Sequence, residues 1–240
     1  HVGHCHPHVV DSITAQAKTL NTHTRYLHDG ILNYVERLIS KHHEKIESAI
    51  MVCSGSEAND IALRMAEAHT GKKGIIVTDS TYHGNTSLVS QLSYGRNAIG
   101  GIGEDIRYVS APNSLRGKKE NNLIEKELFT QNVMGAIDSL EEAGIGVSAL
   151  LICPFFANEG FPKLEYGFLD ETVSQVRNAG GIIIADEVQP GFGRVGTDWW
   201  GYQKIGIAPE VVTMGKPMAN GHPVASVATS SEIIKSFRQN

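Results

Sequence analysis

Asp186 and Lys216 carry opposite charges, and each follows a short strand-like run, so the pair could act together on a bound molecule. The apolar run Ile182 to Ala185 is typical of a parallel strand buried on both faces, and Asp186 follows it directly. Lys216 lies at the end of the next strand-like run, Glu210 to Met214. Because ligands of open α/β sheets bind at the carboxyl ends of strands, we expect both side chains to reach one site.

The chemistry open to this pair is that of a lysine that binds an aldehyde beside a carboxylate that stabilises a cation. A buried carboxylate is costly unless a cation accompanies it, and a protonated pyridine nitrogen would be such a cation. The pKa of a lysine amine shifts readily when the amine is buried, and such amines form covalent adducts with carbonyl groups. An enzyme dependent on pyridoxal phosphate (PLP) requires both groups. The alternatives are an aspartate that caps backbone amides and a lysine on the solvated surface.

The run Ser54-Gly55-Ser56 could bind a phosphate group. It joins a predicted strand, Ala49 to Cys53, to a predicted helix, Glu57 to His69. Backbone N–H groups and the positive end of a helix dipole favour an anion at such a position, and Gly55 permits close approach of the backbone. The alternative is an ordinary strand-to-helix turn in which Ser56 is the N-cap.

The run Tyr82-His83-Gly84 follows the predicted strand Gly74 to Thr78 and offers a flat ring near the same edge of the sheet. The tyrosine ring could stack on the face of a bound pyridine, with the histidine close by. The alternative is a core tyrosine whose hydroxyl is satisfied and a histidine that caps a turn.

Strand-like and helical segments alternate along the chain, which predicts an α/β fold with a mainly parallel sheet flanked by helices. The predicted strands are Ala49–Cys53, Gly74–Thr78, Ile106–Val109, Val147–Cys153, Ile182–Ala185, Val211–Met214 and Val224–Thr229. The predicted helices are Val9–Leu20, Ile31–His42, Glu57–His69 with Gly71 after its end, Gly84–Leu92, Asn122–Ala143 with an interruption near Gln131, and Leu169–Ala179. The polar segment Ser110–Glu120 is predicted to be a surface loop.

Composition narrows the class of protein. The chain has 240 residues, 41% of them hydrophobic and 20% charged, which is ordinary for a globular domain with a substantial core. A formal net charge of -5 argues against nucleic acid as the partner, and no apolar run is long enough to span a membrane. The three cysteines are too few for a disulfide framework, which favours a reducing compartment such as the cytoplasm.

A cluster of histidines near the first residue raises the question of a metal site. Its members are His1, His4, Cys5, His6 and His8. Imidazole and thiolate are good zinc ligands, but this spacing is too dense for a usual structural zinc site and no second cluster follows. We therefore predict no metal ion.

The four motifs together resemble those of the class III (ω-type) aminotransferases, PLP enzymes of fold type I. The motifs are Ser54–Ala58, Tyr82–Gly84, Asp186–Gln189 with Gly191–Arg194, and Gly215-Lys216 with Gly221, Pro223 and Ala225. The resemblance implies the cofactor pyridoxal 5′-phosphate and two catalytic residues, Lys216 as the Schiff-base lysine and Asp186 at the ring nitrogen. The cofactor-binding residues that it implies are Gly55, Ser56, Tyr82, His83, Asp186, Val188, Gln189 and Lys216. In that arrangement Val188 packs on the ring face opposite Tyr82, and Gln189 donates to the phenolic oxygen of the ring.

The resemblance also implies the organisation of the protein and its partners. Residues 1–45 would be an N-terminal helical segment and residues 46–240 the PLP-binding large domain. The C-terminal small domain of the family would lie outside this chain, so we expect the chain to be part of a longer protein. The family resemblance implies small-molecule substrates, an amine or amino acid and a 2-oxo acid, and a homodimer.

The sequence is compatible with three hypotheses about the reaction. Leu20 to Thr22, Arg25 to Asp29 and Ser54 to Leu63 are similar to the branch that contains ethanolamine-phosphate phospho-lyase and alanine–glyoxylate aminotransferase 2. The first hypothesis is amino-group transfer, the second is loss of phosphate from a phosphorylated amino alcohol, and the third is a PLP-binding or dimerisation fragment without activity.

One segment departs from the family pattern. Many class III members carry Glu-Pro-x-Gln after the strand equivalent to Val147 to Ile152, where this chain has Cys153-Pro154-Phe155-Phe156. Any role of that glutamate and glutamine therefore does not transfer to this chain.

Overall fold

The computed structural model describes residues 1–23, 25–93, 101–112 and 122–239, in which seven strands form one sheet. The strands are β1 (Ser48–Val52), β2 (Gly74–Thr78), β3 (Ile106–Val109), β4 (Val147–Ile152), β5 (Ile182–Asp186), β6 (Val211–Met214) and β7 (Ala225–Thr229). The helices are α1 (Pro7–Thr19), α2 (Asp29–Ile39), α3 (Gly55–Thr70), α4 (Asn122–Glu142), α5 (Asp170–Asn178), α6 (Gly201–Ile205) and α7 (Ser231–Gln239), with a 3₁₀ helix at Val89–Leu92. The predicted loop 110–120 lies mostly outside the described residues.

The sheet is mainly parallel, as predicted, and has the strand order β1-β7-β6-β5-β4-β2-β3. Parallel pairing joins β3, β2, β4, β5 and β6. Strand β7 is antiparallel to both of its neighbours, β6 and β1. Asp186 at the end of β5 pairs with Thr213 of β6, so the carboxyl ends of these two strands lie side by side. The register therefore brings the segments that follow β5 and β6 to the same edge of the sheet.

Helices cover both faces of the sheet and form two apolar layers. Helices α4 and α5 bury their apolar side chains with Ile183 of β5 on one face, together with residues of α2 and α6. Helices α3 and α7 pack with Ile182 and Ile184 on the other face. Because neighbouring residues of a strand point to opposite faces, the short apolar run of β5 contributes to both layers.

Helix α3 begins at Gly55 and not at Glu57, so the expected N-cap is corrected from Ser56 to Ser54. The Ser54 hydroxyl accepts from the Glu57 N–H at 3.2 Å, and the Glu57 carboxylate accepts from the Cys53 N–H at 2.9 Å. The first bond is that of an N-cap, and the second joins the residue before the N-cap to the same helical turn. The shift places Gly55 and Ser56 in the first helical turn. Gly71 is the C-cap of α3 with φ of 68°, as expected.

Two further helix predictions are wrong. Helix α4 continues through Gln131, because the buried residues Phe129 and Val133 keep one apolar face on either side of this exposed position. The predicted helix at Gly84–Leu92 is only the 3₁₀ turn Val89–Leu92. Gly84 has φ of 142°, which no helix accommodates.

Helix α6 is attached to the end of β5 by Glu187, which is fully buried. The Glu187 carboxylate accepts from the Gly201 N–H at 2.8 Å and from the Tyr202 N–H at 2.7 Å. Burial raises the pKa of Glu187 to about 8, with a further increase from the neighbouring Asp186, although the two amide donors act in the opposite direction. This attachment holds the ends of the connection 188–200, which includes Val188 and Gln189.

We predict that Gly74→Ala destabilises the protein by about 1–3 kcal/mol. A Cβ atom at residue 74 would lie 2.2 Å from the carbonyl oxygen of Gly146 and 2.7 Å from a methyl group of Leu140. The control is Gly135→Ala in α4, where a Cβ atom meets nothing within 4 Å and should stabilise the helix by about 0.5–1 kcal/mol. Urea unfolding measures both effects, and equal stability of the two variants would contradict the prediction.

We predict that the free energy of unfolding falls as pH rises from about 4.5 to about 8, and that Glu187→Gln removes this slope. A carboxyl whose pKa is higher in the folded state binds more protons there, so its contribution is complete below the unfolded pKa and is lost through the folded one. At about 1.4 kcal/mol per unit, the loss is at most about 5 kcal/mol. Urea unfolding at several pH values measures the slope, and an identical slope in the variant would refute this assignment.

Candidate active site

A cavity of about 210 Å³ opens beside the carboxyl ends of β5 and β6 and the beginning of α3. It is lined by Gly55, Ser56, Tyr82, His83, Gly84, Cys153, Asn158, Asp186, Val188, Gln189 and Lys216. The structure therefore brings every cofactor-binding residue expected from the sequence to one cavity.

Asp186 is 5% exposed and is surrounded by hydrogen-bond donors. Its Oδ2 atom accepts from His83 Nδ1 at 2.7 Å and from Asn59 Nδ2 at 2.9 Å, while Oδ1 accepts from the Val188 N–H at 3.0 Å. In the part of the chain that the structure describes, no lysine or arginine forms an ion pair with it. A buried carboxylate in this setting favours a cation brought by a ligand.

Three buried polar residues that sequence reasoning missed lie around this carboxylate. Asn59 of α3 contacts it directly and accepts from the Thr213 hydroxyl of β6 at 2.6 Å. The Thr81 hydroxyl lies 2.9 Å from His83 Nε2, so His83 connects Thr81 to Asp186. Asn59 was detectable in the sequence, because it falls one helical turn after Gly55 on the inner face of α3.

The beginning of α3 and the turn at Gly84 form the second wall of the cavity. The N–H groups of Gly55 and Ser56 belong to the first helical turn, where the helix itself provides no acceptor. The Ser56 hydroxyl accepts from the Asn85 N–H at 3.1 Å. A Cβ atom at residue 84 would lie 2.5–2.7 Å from atoms of Ser56, so glycine alone permits this close approach. The result is a cluster of donors at the positive end of a helix.

Lys216 lies between this cavity and a second one of about 400 Å³. The second cavity is lined by His1, Phe155, Phe161, Val188, Gln189, Arg194, Lys216, Pro217, Asn220 and Gly221. Lys216 has φ of 20°, at the edge of the left-handed region, and such conformations in non-glycine residues cluster at functional sites. The lysine amine is therefore placed where two molecules could meet.

The two departures from the family pattern have different positions. Cys153 directly follows β4 and lines the smaller cavity, where burial, followed by the charge of Asp186, raises the pKa of its thiol well above the ordinary value. Phe156 is fully buried in the core, where its ring packs edge-on against Phe129. A neutral thiol thus faces the cavity, and the phenylalanine does not.

The N-terminal histidines and Cys5 are all exposed. Among the described residues, no group of three or more His, Cys, Asp or Glu side chains is placed to hold a metal ion. In the same residues, no helix is long and apolar enough to cross a membrane.

The donor set of the cavity fits PLP. Asp186 could accept from a protonated ring nitrogen, and the N–H groups in the first turn of α3 could bind a phosphate. Tyr82 and Val188 could hold a flat ring, and Lys216 has an amine that could bind the aldehyde. The close approach of Gly84 to Ser56, which a Cβ atom at residue 84 would prevent, supports the same fit.

Comparison with known proteins agrees with this chemistry. The family model "Aminotransferase class-III" matches residues 1–240. The chain is 36% identical to an alanine–glyoxylate aminotransferase 2-like protein of Drosophila melanogaster and 33% identical to ethanolamine-phosphate phospho-lyase homolog 1 of Caenorhabditis elegans, with 99% and 97% of the chain covered. These alignments cover 49% and 53% of the two relatives, so the chain spans about half of their length.

Among solved structures, the fold superposes on a phospholyase from Arthrobacter in complex with phosphoethanolamine, with a TM-score of 0.95 and 43% identity. All of this chain and 57% of that one are covered. The cofactor is therefore pyridoxal 5′-phosphate, and the chain belongs to the class III aminotransferase family.

Proposed function

We propose that the complete protein is a PLP-dependent aminotransferase that moves an amino group between an amine or amino acid and a 2-oxo acid. The observation that supports this most directly is the convergence of Lys216, Asp186 and the beginning of α3 on one cavity. Because the chain spans about half of its relatives, the proposal concerns the full-length protein.

Each residue of the cavity has a proposed task toward the cofactor. PLP, when bound, supplies an electron sink for the bond that breaks at the substrate. The negative charge of Asp186 would hold the ring nitrogen in its protonated form. Lys216 would bind the aldehyde and, once the substrate amine has displaced it, its free amine would carry the proton of the substrate Cα. Gly55 and Ser56 donate to the phosphate, and Tyr82 and Val188 hold opposite faces of the ring. His83 supports Asp186, and Gln189 donates to the phenolic oxygen.

A second candidate function is elimination of phosphate from a phosphorylated amino alcohol. Its support is the 43% identity to a protein named as a phospholyase, which exceeds the identity to the aminotransferase 2-like relative. Cys153 is a second difference from the family pattern, because its neutral thiol lines the smaller cavity where many members of the family have a carboxylate. Proton removal by Lys216 serves both reactions.

We also propose that the full-length protein is a homodimer, that residues 1–45 are an N-terminal helical segment and that residues 46–240 are the large domain. Helix α1 buries none of its residues in this chain. Apolar side chains of residues 1–32 are exposed: Val2, Val10, Ile13, Tyr26, Leu27, Ile31 and Leu32. An apolar surface of this kind is typical of an interface, and twofold dimers are the commonest closed assemblies.

We predict that borohydride reduction of the PLP-loaded full-length protein labels Lys216. The label should appear on the peptide that contains Lys216, and Lys216→Ala should lower turnover by about a thousandfold or more, since proton transfer is lost. The matched control is Lys204→Ala, an exposed lysine that bonds to Thr197 outside both cavities, which should keep label and activity. Peptide mapping by mass spectrometry measures the site, and label on another lysine would refute the assignment.

We predict that the full-length protein forms a 2-oxo-acid-dependent amino product from simple amines or amino acids. Incubation with a panel of amines and phosphoamines, with and without a 2-oxo acid, separates the two candidates. Product that requires the 2-oxo acid supports transfer, whereas phosphate release without any 2-oxo acid supports elimination. Activity of neither kind, with PLP bound, would contradict both candidate functions.

We predict that the full-length protein sediments as a dimer and that Ile13→Asp weakens the dimer by at least about tenfold, because a charge would be buried at the interface. Asp11→Asn, on the same exposed helix, is the control and should leave the dimer unchanged. Analytical ultracentrifugation over a range of concentrations measures both, and a monomer at all concentrations would contradict the proposal.

A further inference from the structure

The side-chain amide of Asn59 links α3 to three other elements around the carboxylate of Asp186. Asn59 is 0% exposed, and its Nδ2 atom donates both to the carbonyl oxygen of His83 at 2.7 Å and to Asp186 Oδ2 at 2.9 Å. Its Oδ1 atom accepts from the Thr213 hydroxyl at 2.6 Å. The amide therefore joins α3, the turn after β2, and both strands β5 and β6.

The partners fix the orientation of this amide. His83 O and Asp186 Oδ2 can only accept, so both need the Nδ2 side of Asn59, and the Thr213 hydroxyl can donate to Oδ1. A flipped amide would place its oxygen against a carbonyl and a carboxylate, with no donor between them. Thr213, which is also fully buried, thus selects the orientation that favours Asp186.

The bonds divide unequally between the two carboxylate oxygens of Asp186. Oδ2 accepts from Asn59 and His83, which uses both of its lone pairs. Oδ1 accepts only from the Val188 N–H at 3.0 Å, so one lone pair of Oδ1 has no donor among the described residues. A bound cation with an N–H group would find its acceptor on Oδ1.

We propose that Asn59 and Thr213 are positioning residues that fix Asp186 through Oδ2 and thereby reserve Oδ1 for the protonated ring nitrogen of the cofactor. This inference rests on the proposed function, because it assumes PLP in the cavity. Neither residue lines the cavity, so both act through Asp186 and not by contact with the ring.

The test compares PLP binding by full-length apoprotein variants. Thr213→Val removes the donor to Asn59 Oδ1 at nearly constant volume, and Thr213→Ser keeps a hydroxyl. Asn59→Leu removes the amide itself, and Asp186→Asn is the reference for loss of the carboxylate. The matched control is Thr172→Val in α5, because Thr172 is fully buried, its hydroxyl bonds to that of Thr130 at 2.9 Å, and neither residue lines the cavity.

Three quantities are measured: the melting temperature of each apoprotein, its dissociation constant for PLP by titration, and the visible absorption of the bound cofactor between pH 6 and 9. We expect Asn59→Leu to weaken PLP binding by about tenfold or more and Thr213→Val by about threefold or more, since a bond to a charged group is lost or misdirected. Both should shift the absorption in the direction that Asp186→Asn does. Thr213→Ser should restore wild-type values.

The control separates positioning from stability. Thr172→Val should lower the melting temperature about as much as Thr213→Val and leave PLP binding and absorption unchanged. Equal PLP binding and absorption in Thr213→Val and wild type would overturn the inference alone. Failure of the wild-type protein to bind PLP would overturn both the inference and the proposed function. If Asn59→Leu does not fold, the comparison of Thr213→Val with Thr213→Ser tests the inference by itself.

Discussion

The site depends on a carboxylate that is buried among hydrogen-bond donors and that forms no ion pair with a lysine or arginine among the described residues. Asp186 is in contact with an imidazole, an amide side chain and a backbone N–H. Three donors bond to the carboxylate but do not neutralise its charge. The fold can carry such a charge because the donors come from separate elements, each held by its own packing, and so cannot move away from it. A cationic ligand would neutralise the charge of Asp186, so the buried carboxylate favours binding of such a ligand.

The sheet is organised so that this charge lies at an accessible edge. Buried apolar residues of β5 belong to the two layers on either side of the sheet, which leaves the end of the strand as the place where a polar side chain can meet a ligand. Glu187, the next residue, faces the opposite way and holds the beginning of α6. Successive residues at a strand end point in opposite directions. Asp186 therefore lines the cavity, whereas Glu187 binds the backbone of α6.

The sequence was most informative where a functional residue is positioned by the element that directly precedes it in the chain. Asp186 and Lys216 could be placed at one edge because each follows a strand-like run, and that required no knowledge of distant contacts. The spacing of Asn59 from Gly55 indicated its face of α3, but its bond to Thr213 joins residues far apart in the chain and could not be predicted. The predicted N-cap of α3, Ser56, was wrong, although the sequence contains a pattern that indicates the correct residue. Ser54 and Glu57 have the spacing of a capping box, and this favours Ser54 over Ser56. The antiparallel direction of β7 could not be derived, since strand periodicity is the same in both directions.

The antiparallel pairing of β6 with β7 has a mechanical consequence for the lysine. Strands of opposite direction can be joined without a crossover, so residues 215–224 return directly from one strand to its neighbour. Lys216 lies two residues after the end of β6, so the ladder between β6 and β7 holds its backbone closely on that side. Its amine can then change partner by rotation about the four carbon–carbon bonds of the side chain. The length of that side chain sets how far the amine reaches.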